Sequence, residues 1–250
     1  METIGEKVSR LRDNLELLPA SPGTASFTGR GLIAGTFFPG GLGLTDESRA
    51  GISTIVLGSD WGNEKSLEKA LCGASMPASM STTERKTSKM LKLAGFVVDD
   101  CWYSNAWPVM RSDNTEESGY HPMRDNPAFT SACRDFLRTC IEALAPKLIV
   151  TMGVGPAWFV GPLVGEGWAL SKADVVYFCG PKKNGGNGMQ MEVEPVRKDR
   201  IVYVAVTHPS NPHNVRHREL TRENRKMTND DEIALLRCAR EMADIPKAAQ

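Results

Sequence analysis

The chain has 250 residues, 41% hydrophobic and 24% charged, the profile of a globular protein with one sizeable core. No apolar run approaches the ~20 residues that cross a bilayer. Lysine plus arginine equals aspartate plus glutamate, 30 each, so net charge favours neither a membrane surface nor a polyanion as partner. Residues 1 to 18 mix charges of both signs and lack an apolar segment. No secretory signal is expected, and the reading is of a cytoplasmic protein without a membrane partner.

Val8, Leu11, Leu15 and Leu18 recur at helical spacing, which predicts an amphipathic first helix. Residues 19 to 50 are rich in Gly, Ser, Thr and Pro and predict an irregular extension. Ile52 to Leu57 predicts a buried strand, which runs into Gly58-Ser59-Asp60-Trp61-Gly62. A plain surface turn rarely needs a tryptophan beside an acid between two glycines. Thr82 or Thr83 opens a helix through Leu93, and Gly95 stops it. Asp100 to Asn105 predicts a second strand, followed by Ala106-Trp107-Pro108.

Asn126-Pro127 opens a long helix to about Leu144, with proline at the first helical position. Its apolar side carries Phe129, Cys133, Phe136, Leu137, Cys140, Ile141 and Leu144. Lys147 to Met152 predicts a third strand, Gly155 to Val164 a helix, and Val175 to Cys179 a short strand. Ile201 to Val206 predicts the last buried strand, which delivers Thr207-His208-Pro209-Ser210. Asp230 to Ala243 closes the chain as a helix, leaving the last five residues dispensable.

Strands alternating with helices, and reading as continuous apolar runs, predict an α/β fold. The expected form is a three-layer α/β/α sandwich around a mainly parallel, four-stranded sheet. No repeat or linker divides residues 1 to 250, so one monomeric domain is expected, with an extension over 1 to 50 and a core over 51 to 245. In such sheets ligands bind beyond the carboxyl ends of the strands. Those ends deliver an acid, Asp60, an amide, Asn105, and an imidazole, His208. Singly, each has a bland reading: Asp60 as a cap of the following helix, Asn105 as the holder of a turn and His208 as a satisfied edge histidine. Their coincidence at one sheet edge favours a site.

Other chemistries find less support. Gly153-x-Gly155 starts a dinucleotide fingerprint, but Trp158 stands where its third glycine belongs. The lysines and glycines of residues 180 to 188 lack the Gly-Lys-Ser/Thr ending of a triphosphate loop. The six cysteines form no Cys-x-x-Cys pair, and Pro209 and Pro212 break the register of His208, His213 and His217. Reduced thiols, no metal and no cofactor are expected. Residues 215 to 226 hold four arginines and a lysine against two glutamates, either a solvated face or a phosphate-contacting edge.

Three segments together resemble the uracil-DNA glycosylase superfamily. "IVLGSDWG" is similar to its first motif, with Asp60 at the place of the catalytic aspartate and Trp61 where proline is usual. "CWYSNAWP" resembles the segment whose asparagine reads uracil, and Asn105 takes that position. "VYVAVTHPSNPHN" resembles the last motif, with His208 at the catalytic histidine. The likeness spans roughly Ile52 to Arg218, including the helix, proline and glycine-ended strand of "CRDFLRTCIEALAPKLIVTMG".

The resemblance implies a base-flipping enzyme that hydrolyses the N-glycosidic bond of uracil, or a related deaminated base, in DNA. It implies Asp60 and His208 as catalytic residues, and Gly58, Ser59, Trp61 and Asn105 around the base. Trp61, Phe37, Phe38 or Trp107 would stack on it. Ser210, Pro212, His213 and Asn214 would enter the minor groove, with Arg216 and Arg218 near phosphates. The alternatives are a superfamily member that binds DNA or a damaged base without cleaving, and a protein acting on a free nucleoside or nucleotide.

Overall fold

The computed structural model describes residues 6, 10, 11, 14, 18, 24–25, 51–60, 82–111, 126–164, 168–170, 177–179, 195–206, 208 and 228–248. The fold is mixed α/β. Its main sheet has five strands: β2 (Thr54–Gly58), β3 (Cys101–Asn105), β5 (Leu148–Met152), β8 (Val196–Lys198) and β9 (Ile201–Val206), in the order β3-β2-β5-β9-β8. The sheet is mostly parallel, an arrangement compatible with an α/β/α sandwich. By compactness the chain divides into Met1–Ser81 with Asp99–Pro146, and Thr82–Val98 with Lys147–Gln250. Each unit draws on two separate stretches of chain, so no single linker marks a boundary in the sequence.

In the first unit, β2 and β3 pair in parallel and in register, from Thr54 opposite Cys101 to Gly58 opposite Asn105. Every residue of both strands is buried, as expected of apolar runs covered on both faces. β1 (Thr24–Ala25) pairs antiparallel with β4 (Met110–Arg111). Glu6, Arg10, Leu11 and Asn14 are helical, and Leu11 is buried.

Helix α2 (Pro127–Leu144) starts where its sequence predicts. The Asn126 side chain accepts from Phe129 N–H at 3.1 Å, and proline occupies the first helical turn, where its missing N–H costs nothing. Phe129, Cys133, Phe136, Leu137, Cys140 and Leu144 form the buried stripe, with Ile141 half-buried beside it. Ala145 turns left-handed and its N–H returns to Ile141 C=O at 2.8 Å.

The second unit holds α1 (Thr82–Leu93), α3 (Val154–Val164) and α4 (Asn229–Met242) with the strand pair β5 and β9, which run parallel. One strand expectation, the size of the main sheet, changes here. Tyr177–Cys179 is a strand, β7, but it pairs with β6 (Trp168–Leu170) in a separate two-stranded sheet. The main sheet instead gains β8, folded antiparallel onto β9 through the two-residue turn Asp199-Arg200. This raises the strand count from four to five.

α1 ends at Gly95, whose φ of +87° suits glycine. Arg237 Nη2 donates to Leu93 C=O at 2.8 Å and Arg240 Nε to Ala94 C=O at 3.2 Å. Two guanidiniums from α4 thus satisfy carbonyls at the negative end of α1. Arg240 also donates to Ile245 C=O at 2.8 Å, and Ala248 N–H bonds Gly95 C=O at 2.9 Å. Ala248, expected to be dispensable, is thereby tied to the α1 terminus. Among the described residues no helix is long and apolar enough to cross a membrane.

Candidate functional site

The first unit brings Gly58, Ser59, Asp60 and Asn105 together. β2 and β3 end in register, so Gly58 stands opposite Asn105 at their carboxyl ends. Gly58 contributes no side chain there. Asn105 is only 5% exposed, and its Nδ2 has no hydrogen-bond acceptor among the described residues. A buried amide donor left unpaired costs about 1–3 kcal/mol, so it is usually satisfied by protein, water or ligand. Alternation along β3 puts Asn105 on the same face as Cys101 and Tyr103, and Trp102 with Ser104 on the other.

The pairing continues past the strands. Ala106 N–H donates to Gly58 C=O at 2.8 Å, and Trp107 N–H to Ser59 C=O at 3.0 Å. Ser59 and Asp60 are half-buried, and Asp60 Oδ2 is shielded from solvent. Trp107 does not offer a stacking face. It is wholly buried, and its Nε1–H donates to Thr130 Oγ1 on α2 at 3.2 Å. It is therefore withdrawn as a base-stacking candidate, and the local sequence carries no sign that α2 would cover it.

His208 lies in the second unit, half-buried, two residues beyond the end of β9. Sequence reasoning missed its seat, Gly153, which follows β5 with a φ of +89°. A Cβ on Gly153 would stand 3.1 Å from His208 Cβ and 3.5 Å from His208 Cδ2. Gly153 N–H also donates to Val206 C=O at 2.8 Å, extending the β5–β9 ladder by one step. The signal was present in the sequence as the glycine ending the third strand, there weighed as part of a family resemblance and of a nucleotide fingerprint but not as a seat for His208. Beneath this turn Thr87, fully buried on α1, donates to Met152 Sδ at 3.3 Å.

Trp61, Ser210, Pro212, His213, Asn214, Arg216 and Arg218 lie outside the described residues, as do Phe37 and Phe38. Among the described residues no group of three or more His, Cys, Asp or Glu side chains is placed to hold a metal ion. Cys101 and Cys133 are buried thiols, each pushed up to about 12 by burial, with Asp100 adding to the effect at Cys101. Cys140 is raised in the same way, while Cys238 is exposed. Thiols held protonated make poor nucleophiles and poor metal ligands. No protein-family model matches the chain, and no curated protein is significantly similar to it in sequence.

Proposed function

We propose that the chain is a DNA glycosylase that hydrolyses the N-glycosidic bond of uracil, or a related deaminated base, after flipping the nucleotide out of the stack. The observation that carries this reading is the Asn105 amide, buried at a strand end with an unused Nδ2 donor among the described residues. Uracil presents O4, an acceptor, beside N3–H, a donor. An asparagine amide complements both, Nδ2 donating to O4 and Oδ1 accepting from N3–H. Cytosine presents an amino donor where uracil has O4. It would confront Nδ2 with another donor and leave buried groups unpaired.

Cleavage breaks the C1′–N1 bond. The electron pair leaves with the base as a uracil anion, and the sugar acquires oxocarbenium character. In this reading His208 donates a hydrogen bond to the developing charge on the uracil oxygen. Asp60 stabilises the cationic sugar and orients the water that adds to C1′. The proton released by that water balances the charge of the departing base. No step needs a metal or redox cofactor. Trp61 and Gly58 border the base, and the segment from Ser210 to Arg218 engages the duplex. The expected location is the compartment that holds DNA, in a bacterium the cytosol.

The test is direct. The protein is incubated with oligonucleotides carrying uracil, hypoxanthine, xanthine or mismatched thymine, and abasic sites are then cut with alkali. Strand cleavage at uracil is expected. Absence of product from every base would sink the enzymatic reading, and binding without product would identify a non-cleaving relative.

A further inference from the structure

Asp60 lies just past the end of β2 and Asn105 ends β3, and a hydrogen-bonded zip locks the two segments that follow edge to edge. Its last tooth is Trp107, which three hydrogen bonds, among other contacts, hold in place. Its N–H donates to Ser59 C=O at 3.0 Å, its C=O accepts from Val109 N–H at 2.8 Å, and its Nε1–H donates to Thr130 Oγ1 at 3.2 Å. Both side chains are at most 1% exposed. Thr130 is itself fixed, because it lies in the first turn of α2, where its N–H donates to Asn126 C=O at 2.9 Å. The Asn126 side chain pins the same turn from the other direction.

We infer that Trp107 and Thr130 are positioning residues, which hold the Ser59–Asp60 loop at a fixed height beside the Asn105 amide by tying it to the start of α2. Neither touches the base. The inference rests on the glycosylase reading and adds to it a structural control over the acid. A misplacement of about 1 Å in a catalytic group can cost on the order of 10²-fold in rate. A buried tether is therefore more than packing. The indole N–H to threonine hydroxyl bond is the link to test, since it connects the zip to α2 through side chains.

The test removes that link at constant volume. Thr130→Val replaces the hydroxyl with a methyl, and Thr130→Ser restores it. In Thr130→Val the Ala106 and Trp107 amides should exchange hydrogen roughly 10-fold faster, the size expected for a lost buried hydrogen bond. Single-turnover cleavage of uracil DNA should fall by about the same factor, while DNA affinity stays within about twofold. Thr130→Ser should recover both. Trp107→Phe removes the same bond and also leaves a cavity, so its loss should be larger, and adding Thr130→Val to it should cost little more.

Unchanged exchange in Thr130→Val overturns the tether. Faster exchange with unchanged cleavage overturns the positioning role. A wild-type chain that cleaves no base would instead remove the glycosylase reading. Exchange in Thr130→Val and its recovery in Thr130→Ser would still decide whether the tether holds the loop.

Discussion

The space that a side chain on Gly153 would need is occupied by His208. The gap is 3.1 Å between an added Cβ and His208 Cβ, and the Gly153 backbone has a φ of +89°. Two independent constraints therefore act at one position. A non-glycine residue is strained in that conformation by roughly 1–2 kcal/mol. Its Cβ would also push on a side chain whose position is set by the strand end before it. Gly153→Ala should thus lower stability by about 1–2 kcal/mol in urea unfolding and slow uracil cleavage by more than ~10-fold. Loss of stability with full activity would show that His208 can shift without consequence, and would detach it from the chemistry.

Asp60→Asn and His208→Ala should each slow single-turnover cleavage by at least ~10²-fold, the usual cost of removing a group that stabilises developing charge. Both residues are half-buried rather than in the core, so melting temperatures should change little. Unchanged cleavage in either variant would refute that residue's assignment. A parallel loss of stability would point to a structural role.

The buried thiols predict alkaline sensitivity. Cys101 and Cys133 sit near 12 in the folded chain against an ordinary 9.0. Between those values the unfolded chain loses these protons and the folded chain keeps them. The unfolded state then binds fewer protons, so stability must fall as pH rises, by about 1 kcal/mol per pH unit for each thiol. Below pH 9 the contribution is constant. Burial, with Asp199 nearby, also raises Tyr203, which adds a slope of the same sign. Urea unfolding from pH 8 to 10.5 should show the decline, and Cys133→Ala should flatten it. An unaltered slope in that variant would mean Cys133 is not held protonated.

Much of the scaffold was legible because local and tertiary demands agree. The Asn126-Pro127 start, the buried stripe of α2 and the stop at Gly95 all follow from side-chain chemistry within one or two turns. The strands β2, β5 and β9 are apolar on both faces, so period and burial told the same story. β8 was not legible. It is three residues long, with Arg197 and Lys198 exposed, and only its hairpin partner makes it a strand. The start of α4 was readable but missed. Thr228 and Asp231 form a capping box that sets the helix one residue earlier than expected. Among the proposed site residues, residue types announced Asp60, Asn105 and His208. The burial of Trp107 and the seat at Gly153 depend on neighbours distant in sequence, which spacing cannot reveal.

Arg216 and Arg218 test whether the substrate is a polymer. If both contact phosphates, the double alanine variant should bind DNA more weakly at every sequence, because phosphates carry no sequence code. Its affinity should also depend less on salt, by about 0.7–0.9 in log–log slope for each lost contact. Cleavage at saturating DNA should be spared. A salt slope equal to wild type would make the stretch from 215 to 226 a solvated face and favour a free nucleoside as substrate.

Asn105 allows the sharpest test, because its two possible roles predict opposite signs. If Nδ2 awaits a ligand acceptor, the free protein already bears the cost of an unpaired buried donor. Asn105→Leu removes that donor at similar volume, so it should leave stability unchanged or raise it by about 1 kcal/mol while abolishing uracil cleavage. If the amide instead serves the fold, the same substitution should destabilise by about 1–3 kcal/mol. Asn105→Asp separates recognition from bulk. A carboxylate can accept from cytosine's amino group but cannot donate to uracil O4, so the preference for uracil over cytosine should shrink by at least ~10-fold. Urea unfolding of the leucine variant and competition cleavage by the aspartate variant give the two signs. A destabilised leucine variant together with an aspartate variant that keeps its uracil preference would place Asn105 in the scaffold, and the glycosylase reading would lose the residue that carries it.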